Sequence, residues 1–323
     1  MPRLSRVLVP FAAAACALAL YAADLPTLTL LVGNKEENSM VFIDPATNRI
    51  LDKVPTGNAP HELAAASDGK LAFAANYGTG PAPGHTISVI DVPNQKVIRE
   101  FDISPLQRPH GLCFDSGKLY FTAEANRIVG RYDPAANKID WLMGTGQGTT
   151  HMVIASHGRV FTANITGNSI SIIEGANVTA VPVGQGPEAM DISPDGKELW
   201  TAHSRDGGLS IIDVAAKKVV HTLNIGTKRS NRLKFTPDGK RVLVSDLDGN
   251  EVVVLDAAGR KEIKRIKMGR TPEGILMSKD GARAYVAEAG ENRIAILDLK
   301  TLEVTGHFTT GNGPDGMAWS DRR

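Results

Sequence analysis

The sequence predicts an all-β protein, a seven-bladed β-propeller whose blades are four-stranded antiparallel sheets. Three observations support this fold class. A pattern of four short apolar runs recurs about every 42 residues, Gly, Asp, Asn or Pro bounds each run, and the two chain ends hold complementary parts of one repeat. A β-helix or a sandwich is the competing fold, but neither predicts such long four-strand periods.

The repeat is most complete over residues 271–311. It has a Gly/Pro entry, an apolar run, a turn with Asp-Gly, a second run, a polar loop, a third run that ends in Asp, and a fourth run. The third residue of the entry recurs 37 to 49 residues apart, at positions 61, 110, 151, 188, 231, 273 and 315. Runs of this length between turn residues are typical of β-strands joined by hairpins.

The chain ends determine the number of blades. The segment that starts near residue 28 lacks a first strand, and residues 311–323 supply only a first strand. Joined with each other, they complete one blade, so the sequence predicts six internal blades and one composite blade. Because this closure pairs the first and last blades, it leaves no open sheet edge between them.

The N-terminal residues predict export. Residues 1–23 have a basic start with two arginines, a short alanine-rich apolar run and small residues before a polar junction, which is the pattern of a secretory signal peptide. An N-terminal membrane anchor is the alternative. We therefore expect one propeller domain over residues 24–323, periplasmic or secreted, with no stable membrane span after cleavage. Cys113 would be its single cysteine, so no internal disulfide is expected.

Composition and motifs argue against several function classes. The formal charge is +1 and aromatic residues make up 5% of the chain, so neither a strong field nor stacking side chains favour nucleic acid. The sequence has no P-loop, no dinucleotide-binding glycine motif before a helix, no HExxH and no CxxCH. Nucleotide binding and covalent haem attachment are therefore not predicted.

The repeat resembles the YVTN-repeat β-propeller family, which is WD40-like in its blades. The matching stretches are AYVAEAGENRIAILD (284–298), LAFAANYG (71–78) and VFTANITGNSISIIE (160–174). The resemblance covers nearly all of the expected mature chain. It implies a seven-bladed propeller that is often exported, and it implies little about activity, because the family includes binding proteins and relatives of lactonase-like and lyase-like propellers.

Blade geometry selects two rings of polar residues on one face, at the mouth of the central channel. The first ring starts the inner strands and comprises His61, His110, His151, Glu188, Asn231, Glu273 and Asp315. The second ring ends the second strands and comprises Asn34, Asn76, Glu124, Asn164, His203, Asp246 and Glu288. We expect the side chains of both rings to converge at the mouth.

The histidines in these rings form a candidate metal or acid–base site. Neutral imidazoles next to carboxylates suit zinc, copper or iron(II), and histidine also titrates near neutral pH. A divalent metal is thus a possible cofactor. The candidate ligands are His61, His110, His151, His203, Glu124 and Glu188. The alternative is that these polar residues only support the channel mouth by bonding backbone groups or water.

Two other features lie on the same face. The segment TKRSNR (227–232) brings Arg232 and neighbouring cations to one entry, which could favour an anionic ligand or could be a solvated loop. The loop at residues 76–86 is longer than its counterparts, and long loops on a rigid scaffold commonly carry binding function.

The sequence therefore predicts an exported binding or scaffold protein with a small-molecule or protein ligand at the channel mouth. The expected ligand site is the first ring together with Arg232, Glu124, His203 and Glu288. The alternative is a metal-assisted lyase or lactone hydrolase that uses the histidines and glutamates of the same face.

Overall fold

The computed structural model describes residues 25–323, and the predicted signal peptide lies outside these residues. In the described chain, 28 strands form seven four-stranded antiparallel sheets. The predicted all-β, seven-bladed propeller is confirmed. Within residues 25–323, no helix is both long and apolar enough to cross a membrane.

Each blade is built from four strands in chain order, except for the composite blade. Blade 1 consists of β28 (Pro314–Asp321), β1 (Leu28–Asn34), β2 (Ser39–Asp44) and β3 (Arg49–Pro55). Blades 2 to 4 consist of β4 (Pro60–Ala65), β5 (Leu71–Gly78), β6 (Pro83–Asp91), β7 (Lys96–Asp102); β8 (Pro109–Asp115), β9 (Lys118–Ala123), β10 (Ile128–Asp133), β11 (Lys138–Gly144); and β12 (Thr150–Ser156), β13 (Arg159–Asn164), β14 (Ser169–Glu174), β15 (Asn177–Pro182).

Blades 5 to 7 follow the same order. They consist of β16 (Pro187–Ile192), β17 (Glu198–His203), β18 (Gly208–Asp213), β19 (Lys218–Asn224); β20 (Ser230–Phe235), β21 (Arg241–Asp246), β22 (Glu251–Asp256), β23 (Lys261–Lys267); and β24 (Pro272–Met277), β25 (Arg283–Glu288), β26 (Arg293–Asp298), β27 (Glu303–Thr309). Short 3₁₀ helices at Glu124–Asn126 and Ala289–Glu291 follow β9 and β25.

The chain ends close the ring as predicted. Strand β28 pairs antiparallel with β1, with Leu30 opposite Trp319 and Leu28 opposite Asp321. The C-terminal strand is thus the innermost strand of a blade whose other three strands are N-terminal. This pairing uses backbone groups that would otherwise form two open sheet edges.

The core lies between neighbouring blades. Phe73 and Ile87 of blade 2 pack with Leu119 and Phe121 of blade 3, and all four are fully buried. Middle strands such as β22 are buried on both faces, which explains their continuous apolar runs. The outermost strands alternate between more and less exposed positions and carry charged residues, which protects these edges from pairing with other chains.

A β-bulge occurs at the start of every inner strand. In blade 2 the register shifts between Pro60 and Leu63, and in blade 5 between Pro187 and Ala189, so the bulge contains His61 in one blade and Glu188 in the other. The other five inner strands have the same shift at the corresponding position. Bulges change the direction of side chains next to functional sites. Here they place the first-ring residue of each blade at the channel mouth.

Glycines after three of these positions allow neighbouring inner strands to approach closely. A Cβ atom on Gly111 would lie 2.7 Å from the carbonyl oxygen of His151 in the next blade. Gly274 lies similarly against the backbone of Asp315, and Gly316 against that of His61. Because no side chain separates the strands here, first-ring residues of adjacent blades come into contact.

Candidate functional site

The seven first-ring residues surround a cavity of about 400 Å³ at the mouth of the central channel. A cavity of this size falls in the range of small-molecule sites. The side chains that line it come from every blade. They are Lys35, His61, Tyr77, His110, His151, Glu188, Arg229, Asn231, Arg232, Leu247, Thr271, Glu273 and Asp315.

One wall of the cavity is a row of aromatic rings from blades 2, 3 and 4. The imidazoles of His110 and His151 stack with ring centroids 3.7 Å apart, and His61 lies 5.1 Å from His110. Tyr77 from the end of β5 contacts His61 and His110, with centroid distances of 4.7 and 5.5 Å. The sequence prediction that three neighbouring blades contribute histidine at one position thus corresponds to one continuous surface.

Carboxylates lie beside Nδ1 of two of these imidazoles. Nδ1 of His151 lies 2.8 Å from Oε1 of Glu124, and the Tyr77 hydroxyl donates to the other oxygen of that carboxylate. Nδ1 of His61 lies 3.4 Å from Oδ2 of Asp315. A carboxylate accepts a hydrogen bond from an Nδ1–H group, so a neutral His151 ring bonded in this way has Nε2 as an acceptor.

Two buried imidazole nitrogens in this wall have no partner within the described chain. They are Nδ1 of His110 and Nε2 of His151. The two residues are 3% and 7% exposed, and both rings line the cavity. An unpaired buried polar atom typically costs about 1–3 kcal/mol, and such atoms in native proteins call for an explanation.

Two histidines of this wall, His61 and His110, have lowered pKa values. Burial lowers the pKa of His61 to about 4, and the nearby Lys35 and Arg232 add to the effect of burial while Asp315 opposes it. Burial, together with the neighbouring His151 and His61, holds the pKa of His110 well below its ordinary value. At neutral pH these rings therefore offer lone pairs and N–H groups rather than positive charge.

An ion pair between blades 2 and 6 crosses the channel at the base of the cavity. The guanidinium of Arg232 donates to Glu62 and lies 3.4 Å from Asp315 of blade 1. It also donates to the backbone and side-chain oxygens of Asn231, at 3.1 and 3.2 Å. Arg232 is 5% exposed. These contacts make Arg232 a buried structural cation at the base of the site.

A second charged cluster lies between blades 7 and 1. Lys35 donates a hydrogen bond to Glu273 and lies 3.6 Å from Asp315. Burial and the Asp315 carboxylate raise the pKa of Glu273 to about 8, despite Lys35. Burial would also raise the pKa of Asp315, but Lys35 and Arg232 outweigh it and lower that pKa. At pH 7 Glu273 is therefore mainly protonated, and Asp315 carries the negative charge.

The remaining first-ring residues also have partners. Asn231 donates from Nδ2 to Oε1 of Glu188 at 2.9 Å, and Arg229 lies 3.8 Å from the same oxygen. Glu188 is 6% exposed and Asn231 7% exposed, while the Arg229 side chain at the rim is 47% exposed. All seven first-ring residues thus converge at the mouth, as the sequence predicts.

The second ring behaves differently, and the expectation that it converges at the mouth is wrong for most of its members. Glu124 contacts His151 and Tyr77, both of which line the cavity. The other six do not line it, and they bond neighbouring backbone or nearby side chains. They are Asn34, Asn76, Asn164, His203, Asp246 and Glu288.

Two of these six, His203 and Glu288, belong to the ligand site that the sequence predicts. Nδ1 of His203 lies 2.9 Å from Asp206, and Glu288 accepts from the backbone amide of Gly269 and from Arg293, at 2.5 Å in both cases. Both side chains are 1% exposed, because they lie beneath the loops that precede their blades. Both side chains therefore bond the scaffold around the mouth and do not form part of the cavity surface.

The predicted metal ligands do not form one cluster. His203 lies away from the cavity, and Glu124 is bonded to His151 and Tyr77. Across residues 25–323, no three His, Cys, Asp or Glu side chains are grouped in a way that could hold a metal ion. The geometry of the side chains thus gives no support to the metal candidate.

The long loop of blade 2 forms the rim above the histidines. Arg108, from the segment before β8, donates to the carbonyl oxygens of Thr79 and Gly80 at 3.2 and 3.1 Å. Its guanidinium also lies 4.9 Å from the centre of the Tyr77 ring. The long loop and the segment before β8 are therefore bonded to each other and hold Tyr77 against the histidine wall.

Sequence reasoning missed two residues of the site, Lys35 and Glu62. Glu62 follows the first-ring position, where four other blades have Gly or Ala and blade 6 has Arg232. An acid in blade 2 and a base in blade 6, at a position where most blades have a small residue, indicate an ion pair across the ring. Lys35 follows Asn34 at the end of β1, and the repeat offers no comparable signal for it.

Comparisons with known proteins agree with this architecture. The YNCE-like beta-propeller family model matches residues 128–236, and the cytochrome D1 heme domain model matches residues 193–281. Each match covers less than half of the chain. A comparison with curated proteins found no match.

Several solved structures share the fold at low sequence identity. Hydrazine synthase of Kuenenia stuttgartiensis is 20% identical with a TM-score of 0.71, over 81% of this chain and 90% of that chain. A functionally unknown protein of Desulfotomaculum acetoxidans is 13% identical with a TM-score of 0.76, over 90% of this chain and 98% of that chain. A candidate 6-phosphogluconolactonase of Bacteroides fragilis is 15% identical with a TM-score of 0.75, over 90% of this chain and 97% of that chain.

These identities show a shared fold and carry no activity to this chain. The repeat pattern, the closed ring of seven blades and the partial match to the YNCE-like model all point to one group of propellers. The chain thus fits the YVTN-type seven-bladed propeller family, and the resemblance seen in its sequence is confirmed.

Proposed function

We propose that this protein binds a small polar ligand at the channel mouth, between the histidine wall and the charged clusters. The observation that supports the proposal most directly is the pair of unpartnered nitrogens on His110 and His151, buried in rings that line the cavity. A ligand that bonds them would remove the cost of leaving them unpaired. An exported location stays a prediction that depends on residues 1–23.

The site is built on strands rather than on loops. Its residues lie in bulges of seven inner strands, and the ion pair of Arg232 with Glu62 ties two distant blades together below it. A preformed site loses little conformational entropy when the ligand binds. Small-molecule binding therefore agrees with the scaffold better than the docking of a flexible segment would.

The test is a thermal-shift screen of the full chain against sugars, sugar acids, sugar phosphates, amino acids and nucleosides. A ligand that binds the folded state raises the melting temperature. We expect a shift in the wild type and in His221→Ala, which changes an exposed histidine on β19. We expect no shift in His110→Ala. A shift that persists fully in His110→Ala would place the ligand elsewhere and contradict the proposal.

One observation favours an enzymatic alternative, a lyase or lactone hydrolase. The pair of His151 and Glu124 has the arrangement of a general base, with Nδ1 held by a carboxylate and Nε2 left without a partner. On this alternative, a panel of lactones and lyase substrates should show turnover that His151→Gln abolishes. Metal analysis of protein purified without chelator tests whether a divalent cation takes part.

A further inference from the structure

The polar groups that line the cavity differ in whether their partners are already present. Lys35 faces Glu273 and Asp315, Arg232 faces Glu62 and Asp315, and Arg229 lies 3.8 Å from Glu188. Among the lining residues of the described chain, every cation therefore has a carboxylate beside it. An anionic ligand would have to compete with a carboxylate that is already in place, at considerable cost for a buried pair.

The carboxylates of the cavity are also satisfied. Glu188 accepts from Asn231, Glu273 bonds Lys35, and Asp315 lies beside Lys35, Arg232 and His61. A cationic ligand would find no unpaired anion in this part of the chain, and it would lie close to three cations of the protein, Lys35, Arg229 and Arg232. Each charge that lines the cavity thus already lies beside a group of opposite charge.

The unsatisfied groups are imidazole nitrogens. Nε2 of His151, whose Nδ1 lies 2.8 Å from Glu124, has no partner, and Nδ1 of His110 is unpaired in a ring stacked on His151. A hydroxyl group donates one hydrogen bond and accepts others. It can therefore donate to an imidazole nitrogen that carries no proton, or accept from one that does.

We infer that the ligand is a neutral, hydroxyl-bearing small molecule whose hydroxyl groups bond the imidazoles of His110 and His151. This inference depends on the proposed binding function and specifies its ligand class. It differs from the alternative that Arg232 and its neighbours favour an anion, because Arg232 and Arg229 already lie beside carboxylates. The neutral imidazoles at the mouth agree with a ligand that carries no charge.

The experiment is isothermal titration calorimetry with matched probes on the full chain. Neutral probes are D-glucose, myo-inositol and a nucleoside. Charged counterparts are D-gluconate, D-glucose 6-phosphate, D-glucosamine and the nucleoside monophosphate. We expect at least one neutral probe to bind, and its charged counterpart to bind at least about tenfold more weakly, a difference of about 1.4 kcal/mol.

Two variants place the bound probe at the imidazoles. His151→Phe keeps a ring of similar shape but removes the acceptor, and it should weaken the neutral probe at least about tenfold. Glu124→Gln can donate to Nδ1 and turn Nε2 into a donor, so it should also weaken that probe while the fold is kept. His221→Phe on the outer strand is the control and should bind as the wild type does.

The outcomes separate the two claims. Tighter binding of the charged probes, or neutral binding unaffected by both variants, would overturn the inference and leave a binding protein of another ligand class. If neither set binds at concentrations that reveal millimolar affinity, the inference and the proposed function both fail for these ligand classes.

Discussion

Arg232 and Glu62 are 170 residues apart in the sequence and form an ion pair across the central channel. Glu62 belongs to blade 2 and Arg232 to blade 6, and these blades are not adjacent in the ring. The contact therefore links opposite parts of the ring. Asp315 lies 3.4 Å from the same guanidinium group. The contact forms the base of the cavity and gives a buried cation two carboxylate partners.

Removing one partner of this pair should be costly. Arg232→Met leaves Glu62 buried beside Asp315 without its cation, and breaking a buried ion pair costs about 3–5 kcal/mol. We expect the free energy of unfolding, measured by urea denaturation at pH 7, to fall by about this amount. An unchanged free energy of unfolding would show that solvent screens the pair.

The double variant Arg232→Met with Glu62→Gln is the matched control. It removes both charges, so the penalty of an unpaired buried carboxylate at residue 62 disappears. We expect it to be more stable than Arg232→Met alone, with a coupling energy of about 0.5–3 kcal/mol between the two sites. Simple addition of the two single effects would mean that the residues do not interact.

The unpartnered nitrogen of His110 predicts that the unliganded protein is less stable than a variant without it. His110→Phe keeps a ring of similar shape, and the histidine it replaces is neutral because burial lowers its pKa. Removing a buried unsatisfied group should raise the free energy of unfolding by about 1–3 kcal/mol, at the expense of ligand binding. Urea denaturation without ligand measures the gain.

His203→Phe provides a comparison for that variant. Its Nε2 is also unpaired, but Nδ1 contacts Asp206 at 2.9 Å, so the change removes a bond together with the unsatisfied atom. We expect a smaller gain or a loss. If His110→Phe is instead the less stable of the two, the unpaired nitrogen is not a source of instability.

The sequence was sufficient for the fold and for half of the site. Residues at the same position of successive repeats, such as His61 and His110, could be placed at the mouth because every blade has the same backbone geometry. The contacts between these residues depend on β-bulges and on glycines such as Gly111. How closely a glycine lets two strands approach cannot be read from the sequence pattern. The orientation of His151 depends on Glu124, and a spacing of 27 residues indicates no contact by itself.

The second ring shows why position in a repeat is not enough. Glu124 directly follows β9 and Glu288 ends the equivalent strand β25, yet Glu124 contacts the histidine wall and Glu288 bonds Gly269 and Arg293. The side chain of Glu288 has local partners within reach, and they hold it beneath its loop. Repetition predicts where a backbone lies, while the nearest partner decides where a polar side chain points.

Glu273 predicts a specific dependence of stability on pH. Its pKa in the folded protein is raised to about 8, chiefly by burial and Asp315, above an ordinary value of 4.5. The folded state therefore keeps a proton that the unfolded chain releases, and stability from this group falls as pH rises from 4.5 to 8. The slope approaches about 1.4 kcal/mol per pH unit within that window.

Glu273→Gln removes this ionisation and keeps an acceptor for Lys35. The difference in unfolding free energy between variant and wild type should shift in favour of the variant as pH rises from 5 to about 8. His61, whose lowered pKa makes stability fall as pH drops from 6.5 towards about 4, is present in both proteins and largely cancels in the difference. Glu303→Gln on β27 is an exposed control and should give a flat difference.

Gly111 tests whether close approach of inner strands assembles the histidine wall. A Cβ atom there would lie 2.7 Å from the carbonyl oxygen of His151 and 2.7 Å from the amide of Val153, and both are backbone atoms that move only with their strand. Gly111→Ala should therefore lower the free energy of unfolding by about 1–3 kcal/mol and weaken ligand binding at the mouth. Gly144→Ala on β11 meets no atom within 4 Å and should leave both properties nearly unchanged. Equal behaviour of the two variants would show that the strands have room to separate, and that the contact of His110 with His151 does not depend on this glycine.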